Sequence, residues 1–152
     1  MLQPNERELL MEQLRPPPGH VLHTAIGTTY SLDLYALLAV PLAFTYFSCE
    51  DRDGNTVQDP LALLEALRRY ADRMSVFCHA GGIHVPPRHQ QLLAYVEKSV
   101  VQVLPPRPDR NFHPKVWVLR YLAEDGGVTY RVLCQSRNLT FDRSWDTVVV
   151  LE

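Results

Sequence analysis

Four polar residues in the carboxyl-terminal part of the chain are of types that could cleave a phosphodiester. His113 and Lys115 lie two positions apart, and so do Ser136 and Asn138. An imidazole titrates near neutral pH and can attack phosphorus as a nucleophile. Ammonium, hydroxyl and carboxamide groups can donate hydrogen bonds to phosphate oxygens, on which negative charge develops in the transition state. Because these fixed donors hold the phosphate, this chemistry requires no metal.

The two pairs belong to a predicted β-hairpin. Residues 113–122 (HPKVWVLRYL) and 128–136 (VTYRVLCQS) are rich in β-forming residues and flank an Asp-Gly pair, which is a strong hairpin signal. A two-residue turn at Asp125-Gly126, or a loop of residues 124–127, places Lys115 opposite Ser136 and His113 opposite Asn138. Residues two apart on a strand share a face, and opposed residues interact. We therefore expect the four polar side chains to converge.

These runs resemble the signature of the phospholipase D superfamily. FHPKVWVLRY followed by CQSRNLT is similar to the HxK and SxN halves of that signature. The resemblance implies that His113 forms a phosphohistidine intermediate, that Lys115 and Asn138 bind the phosphate, and that Ser136 assists in substrate binding. Glu152 loosely matches the downstream acid of the family and is assigned to substrate binding as well. A histidine from a second HxK copy would protonate the leaving oxygen.

The likeness extends further but has departures. Residues 27–44 (GTTYSLDLYALLAVPLAF) resemble amino-terminal segments of bacterial proteins of the superfamily. Arg120 stands where the family usually has Asp, and Gln135 stands where it prefers Gly. The chain contains one HxK motif, so the resemblance implies a homodimer or the second half of a longer chain.

Composition and patterning indicate one soluble domain. Hydrophobic residues make up 46% of the chain and charged residues 21%, as in ordinary globular proteins. The net charge of -2 gives no global basic field for nucleic acid. Three cysteines without paired spacing favour a reducing compartment, the cytoplasm. The amino terminus lacks an apolar signal core, and the most apolar stretch, 32–47, is too short to span a bilayer.

Apolar periodicity predicts an α/β domain. Residues 1–19 are expected to form an amino-terminal helix and a proline-rich link, and residues 20–152 a phospholipase-D-like domain with one half-site. Ser31 is the predicted cap of a helix over 32–47, with a kink at Pro41. Further strands are predicted at 20–30, 74–79, 100–104 and 147–151, and further helices at 61–73 and 88–98. This alternation, followed by a hairpin, predicts a mixed β-sheet flanked by helices.

Other residue groups have simpler explanations. Cys78, His79, His84 and His89 do not match compact zinc patterns, so surface histidines, or histidines at the rim of a crevice, are expected. Neither a metal nor a cofactor is predicted.

Candidate contacts for nucleic acid are ambiguous in the sequence. The cluster Arg68, Arg69 and Arg73 could meet a phosphate backbone, although a solvated helix face is the favoured interpretation. Phe112 and Trp117 could stack on bases or wall the pocket.

These observations predict a metal-independent phosphodiesterase, most simply a nuclease acting on DNA or RNA. A lipid phosphodiesterase or transferase is an alternative, but no cationic amphipathic helix for approaching a bilayer is evident. A third interpretation is a non-catalytic module that keeps the fold and binds nucleic acid or another partner. Arg120 and Gln135 are the residues that favour it.

Overall fold

The computed structural model describes residues 10–45, 60–87, 91–142 and 144–152. The strands of the described part are β1 His20–Thr29, β2 Leu32–Asp33, β3 Met74–His79, β4 Ile83–His84, β5 Val100–Val103, β6 Val116–Ala123, β7 Val128–Gln135 and β8 Val148–Leu151. Its helices are α1 Leu10–Gln13, α2 Leu34–Ala43, α3 Pro60–Tyr70 and α4 Leu93–Glu97, and a 3-10 turn, Ala71–Arg73, follows α3. None of these helices is long and apolar enough to cross a membrane.

Six strands form one mixed sheet in the order β5-β3-β1-β6-β7-β8, and β2 pairs with β4 beside it. Strands β1, β3 and β5 are parallel, whereas β6, β7 and β8 continue the sheet as antiparallel neighbours. The ends of β1, β3, β5 and β7 and the beginnings of β6 and β8 therefore meet at one border, here called the carboxyl edge. The predicted α/β fold with a mixed, helix-flanked sheet is confirmed.

Helix α2 lies at the centre of the helical layer. It is apolar on all sides and contacts α1, α3 and α4, as expected of a helix enclosed by the fold. Leu37 and Val40 are fully buried, and each stabilises the fold by about 1.5–3 kcal/mol. Asp33, rather than the predicted Ser31, caps the helix, because its carboxylate accepts from the backbone N–H of Tyr35 at 2.7 Å. The helix passes through Pro41 and ends at Ala43, while part of the predicted 32–47 span lies outside the described residues.

The amino-terminal region packs on this layer. Leu14 is fully buried, and its carbonyl accepts a hydrogen bond from the Tyr121 hydroxyl at 3.1 Å. Arg131 donates to the carbonyls of Gln13 and Arg15 at 2.7 and 2.9 Å. Residues 1–9 of the predicted amino-terminal helix, and His89, lie outside the described residues.

The opposite face of the sheet carries no helix in the part of the chain that the structure describes, and it is called the open face here. It is strongly apolar: Ile26 pairs with Val118, Val118 with Val132, and Val132 with Leu151 in one row across four strands. Ile26, Val118 and Leu151 are 43%, 38% and 60% exposed. Sheets with parallel strands are usually covered on both faces, and a contiguous exposed apolar patch indicates a contact surface.

The hairpin turn differs from the predicted one by one residue. Residues 124–126 form a three-residue loop closed by Ala123 and Gly127, with Ala123 N–H donating to Gly127 O at 2.9 Å. Gly126 N–H donates back to Ala123 O at 3.0 Å, and Gly126 has φ 87°. A type I turn followed by a left-handed glycine is the standard three-residue hairpin loop. The Asp-Gly pair thus marks the turn but does not fix its length.

The register changes accordingly. Val116 pairs with Cys134, and the Lys115 carbonyl accepts from Gln135 N–H at 2.9 Å. Lys115 therefore lies opposite Gln135, and the predicted pairing with Ser136 is wrong. Strand β6 begins at Val116, so His113 and Lys115 precede the strand instead of lying on it.

Candidate active site

Polar side chains gather at the carboxyl edge, where several strands begin or end. Tyr30 follows β1, His79 ends β3, and Asn138 follows β7. His113 and Lys115 immediately precede β6. In open α/β sheets the crevice beyond the carboxyl ends of the strands is where ligands bind. Residues from four parts of the sequence therefore reach the position that the fold offers to a ligand.

His113 and Lys115 are in direct contact. The Lys115 Nζ lies 2.9 Å from His113 Nδ1 and 3.4 Å from His113 Nε2. An ammonium has three donors and no acceptor, and its distances to the two ring nitrogens place it against the imidazole ring. Partial burial lowers the pKa of Lys115 below its usual value. The structure thus brings together the predicted nucleophile and a predicted phosphate-binding cation.

Asn138 is oriented by the end of β1. Its Oδ1 accepts from the Tyr30 N–H at 3.2 Å. The next residue, Leu139, donates its N–H to Thr29 Oγ1 at 2.9 Å, and its carbonyl accepts from Asp33 N–H at 2.9 Å. No described residue accepts a hydrogen bond from Asn138 Nδ2. The carboxamide therefore keeps a donor for a bound group while its oxygen is held in place.

Tyr30 connects the two halves of the site. Its ring lies 4.9 Å, centroid to centroid, from both the His79 ring and the His113 ring. His79 Nδ1 accepts from the Phe112 N–H at 3.3 Å, which fixes the segment leading to His113. Tyr30 was not among the residues predicted from the sequence. Its place at the end of a predicted strand is the signal that could have identified it.

Ser136 is hydrogen-bonded within its own loop in the structure. Its hydroxyl donates to Asp146 Oδ1 at 2.8 Å and accepts from Thr147 N–H at 3.0 Å. The same carboxylate oxygen accepts from the N–H groups of Ser136 and Arg137, each at 3.0 Å. The described residues show no contact between Ser136 and His113. Ser136 therefore anchors the loop that carries Asn138.

Glu152 lies away from the site. Its carboxylate pairs with the guanidinium of Arg131, and the neighbouring Leu151 pairs with Val132. At about 3.3 Å per strand residue, Arg131 is roughly 13 Å along β7 from Gln135, where the carboxyl edge begins. The structure does not bring Glu152 to His113.

The two residues that depart from the family signature occupy different surroundings. Arg120 lies on the open face, where its Nη1 is 3.1 Å from His23 Nδ1. Gln135 shares the helix-facing side of the sheet with its neighbour Lys115 and is 9% exposed. No described residue bonds to its amide oxygen or nitrogen. Gln135 therefore belongs to the surroundings of the site, whereas Arg120 does not.

Trp117 is a core residue. It is 1% exposed, and its indole lies so close to Gly27 that a Cβ there would be 2.8 Å from the ring. The base-stacking interpretation of Trp117 is therefore wrong, because the ring is enclosed in the core beside Gly27.

The remaining sequence candidates are dispersed. Arg68 and Arg69 are exposed on α3, while Arg73 donates to the Leu22 carbonyl at 3.0 Å. His84 lies on β4 opposite Asp33. Within the described residues, no three His, Cys, Asp or Glu side chains form a group that could hold a metal.

Comparison with known proteins gives a limited likeness. No family model matches the sequence, and the search of curated proteins gave no significant match. Among solved structures, the chain is similar to yeast tyrosyl-DNA phosphodiesterase, represented by one crystal structure of the enzyme and two of mutants. The identity is 15–16% and the TM-score 0.45–0.46. The alignment covers 86% of this chain and 24% of the yeast enzyme, so the chain spans about a quarter of its length.

Proposed function

We propose that the chain provides one half of a metal-independent phosphodiesterase site whose substrate is a nucleic acid. The observation that carries this proposal is the contact of Lys115 Nζ with His113 Nδ1 at 2.9 Å. Tyr30 links this pair to Asn138, because its ring contacts His113 and its N–H donates to Asn138 Oδ1. A nucleophile, a cation and an oriented amide donor are the three elements needed to attack a phosphodiester and stabilise its charge.

In the proposed reaction, a ring nitrogen of His113 donates its lone pair to phosphorus. A P–N bond forms as the bond to the leaving oxygen breaks, and the leaving oxygen takes a proton from a second histidine. Water then attacks the phosphohistidine, giving up a proton to that histidine, and the P–N bond breaks to release the phosphate monoester. Lys115 and Asn138 donate hydrogen bonds to the non-bridging oxygens throughout.

The contact between Lys115 and His113 has a consequence for substrate binding. A phosphate oxygen is anionic and forms stronger hydrogen bonds with an ammonium than a neutral imidazole does. On substrate binding, Lys115 transfers its hydrogen bond from His113 to the phosphate. This transfer frees the imidazole of its contact with Lys115 when phosphorus is adjacent.

The second histidine comes from another HxK copy, in an identical chain or in a further half of a longer chain. The open face is the proposed contact surface for an identical chain. Six strands spaced about 4.8 Å apart make a face roughly 25–30 Å wide. That width can provide the ~800 Å² per partner that a stable interface buries.

A non-catalytic binding module is the second candidate. It is favoured by Gln135, whose buried amide lies beside Lys115, where the family has no side chain. In that case the site binds a phosphodiester without cleaving it.

Hydrolysis of bis(p-nitrophenyl) phosphate in excess EDTA tests the proposal. We expect turnover by the wild type and a loss of at least about 1,000-fold in His113→Ala, as for removal of a nucleophile. His20→Ala is the matched control, because His20 lies at the start of β1, at the opposite end of the sheet from the carboxyl edge. Activity that survives His113→Ala contradicts the role of His113, and EDTA-sensitive activity contradicts the metal-free scheme. Tight binding of the diester without turnover favours the binding module.

A further inference from the structure

Two large aromatic side chains are presented next to the candidate site. Trp145 is 83% exposed and Phe141 is 68% exposed. Both belong to the connection between β7 and β8, which carries Asn138 and begins at the carboxyl edge. Trp145 adjoins Asp146, whose carboxylate binds Ser136, and Phe141 is three residues from Asn138. These two residues are called the aromatic rim.

The backbone that carries the aromatic rim is held by its own polar contacts. Asp142 accepts from the Ser144 hydroxyl and N–H and from Thr140 Oγ1, and it pairs with Arg137 at 3.2 Å. The Ser144 hydroxyl, followed by the Thr140 hydroxyl, lowers the pKa of the Asp142 carboxyl well below its usual value. A loop with fixed geometry loses less conformational entropy when it binds a ligand.

A basic segment lies on the other side of the site. Arg107 and Arg110 are exposed on the connection between β5 and β6, and they are called the basic rim. Three prolines at positions 105, 106 and 108 restrict the backbone of this connection. Phe112, near the end of this connection, contacts His79 at the end of β3 through its N–H, so the connection runs along the carboxyl edge to His113. Its one acidic residue, Asp109, lies 3.9 Å from Arg110.

We infer that the carboxyl edge binds single-stranded nucleic acid, with phosphates toward the basic rim and bases stacked on Trp145 and Phe141. This inference rests on the proposed function. Single-strand binding sites combine cations that follow the backbone with aromatic side chains that stack on bases. In a duplex the faces of the bases are already stacked on one another, so they are not offered to such side chains. The net charge of -2 requires the phosphate attraction to be local, as the basic rim provides.

Tryptophan fluorescence provides a binding assay that does not depend on turnover. Trp117 is buried and Trp145 exposed, so stacking of a base on Trp145 quenches the accessible part of the emission. The probe is an oligothymidylate of about 12 nucleotides, within the usual length of single-strand sites. We expect saturable quenching and an affinity about 5- to 100-fold weaker in Trp145→Ala. Trp145→Phe is expected to restore most of that affinity, measured by fluorescence anisotropy of a labelled probe.

Two controls separate the contributions of base and phosphate. An abasic oligonucleotide of the same length is expected to bind wild type at least as weakly as the thymidylate binds Trp145→Ala, because it also loses the stacking on Phe141. Arg107→Gln with Arg110→Gln is expected to reduce the slope of log affinity against log salt by about 1.4, since each single-strand phosphate contact contributes about 0.7. Tyr95→Ala, at an exposed aromatic of α4 in the helical layer, is the matched control and is expected to bind like wild type.

The outcomes of the binding measurements can be distinguished from those of the cleavage assay. Quenching that depends on Trp145 and on bases supports the inference even when the protein cleaves no diester. Equal affinity for thymidylate and abasic probes, preference for a duplex, or no binding at all overturns it, even when His113-dependent cleavage is observed.

Discussion

At the residue scale, the contact between Lys115 and His113 determines what the site can do before a substrate arrives. The ammonium lies 2.9 Å from Nδ1, so the proposed nucleophile and the proposed phosphate-binding cation are adjacent before a substrate binds. The proposed site is therefore activated by the phosphate itself, which competes for Lys115.

The lowered pKa of Lys115 predicts the alkaline limit of activity. As the pH rises through this pKa, the ammonium loses its proton and its attraction for phosphate. We therefore expect kcat/KM to fall at a lower pH than the usual lysine pKa of about 10.4 would give. Lys115→Arg keeps a positive charge at all accessible pH values, so the decrease in kcat/KM at alkaline pH is expected to disappear in this variant. An unchanged alkaline limb in Lys115→Arg contradicts this role of Lys115.

Substitutions of Asn138 can distinguish its role in anchoring the loop from its proposed role in binding phosphate. Asn138→Asp keeps an oxygen to accept from Tyr30 N–H, but it removes the amide donor and adds negative charge. We expect kcat to fall by about 100- to 1,000-fold, as for the loss of one transition-state donor, with a melting temperature near that of wild type. Asn138→Ala loses both contacts, so it is expected to lose stability as well. Wild-type kinetics in Asn138→Asp would exclude the amide as a donor.

Part of the site could be located from the types of residue in the sequence. His113, Lys115 and Asn138 could be found because their chemistry is distinctive and their spacing resembles a known signature. Ser136 and Glu152 match the signature too, but hydrogen bonds to Asp146 and an ion pair with Arg131 occupy them. Tyr30 contributes a backbone N–H and a ring contact, and only its place at the end of a predicted strand could have indicated it.

At the element scale, the hairpin shows why a register is hard to predict. An Asp-Gly pair is compatible with a two-residue and with a three-residue loop. The choice depends on whether Gly126 alone adopts a positive φ, as it does at 87°. One residue of difference places Gln135 instead of Ser136 beside Lys115.

The conformation of Gly126 can be tested by substitution. A Cβ at φ 87° is strained, so Gly126→Ala is expected to lower the free energy of unfolding by about 1–2 kcal/mol. Gly126→Asn is expected to cost less, because asparagine tolerates the left-handed region. Urea unfolding followed by circular dichroism measures both. Equal stability of Gly126→Ala and wild type would contradict the three-residue loop.

At the scale of the whole molecule, the alternation of strands and helices was sufficient to predict the α/β class. Strands β1, β3 and β5 succeed one another in one direction across the sheet, so connections of the same hand place α2, α3 and α4 on the same face. The sequence did not reveal that the other face is open in the described part, because exposed and buried parallel strands are both rich in valine and isoleucine.

The open face predicts self-association. Val118 lies in the middle of the apolar row between Ile26 and Val132, so Val118→Lys places a charge in the proposed interface. Light scattering is expected to give twice the mass of one chain for wild type and the mass of a single chain for Val118→Lys. Val85→Lys, at a 76% exposed residue outside the six-stranded sheet, is the control. A wild-type protein that stays monomeric at high concentration contradicts self-association through this face.

The most direct test of the account is to trap the covalent intermediate. A diester with p-nitrophenolate as leaving group releases an anion so weakly basic that it needs no proton, and the second histidine is therefore not required. Rapid acid-free quenching followed by peptide mass spectrometry is expected to find the phosphoryl group on the peptide that contains His113 and to find none in His113→Ala. Sustained release of p-nitrophenolate without an adduct, or with an adduct on another residue, would contradict His113 as the nucleophile.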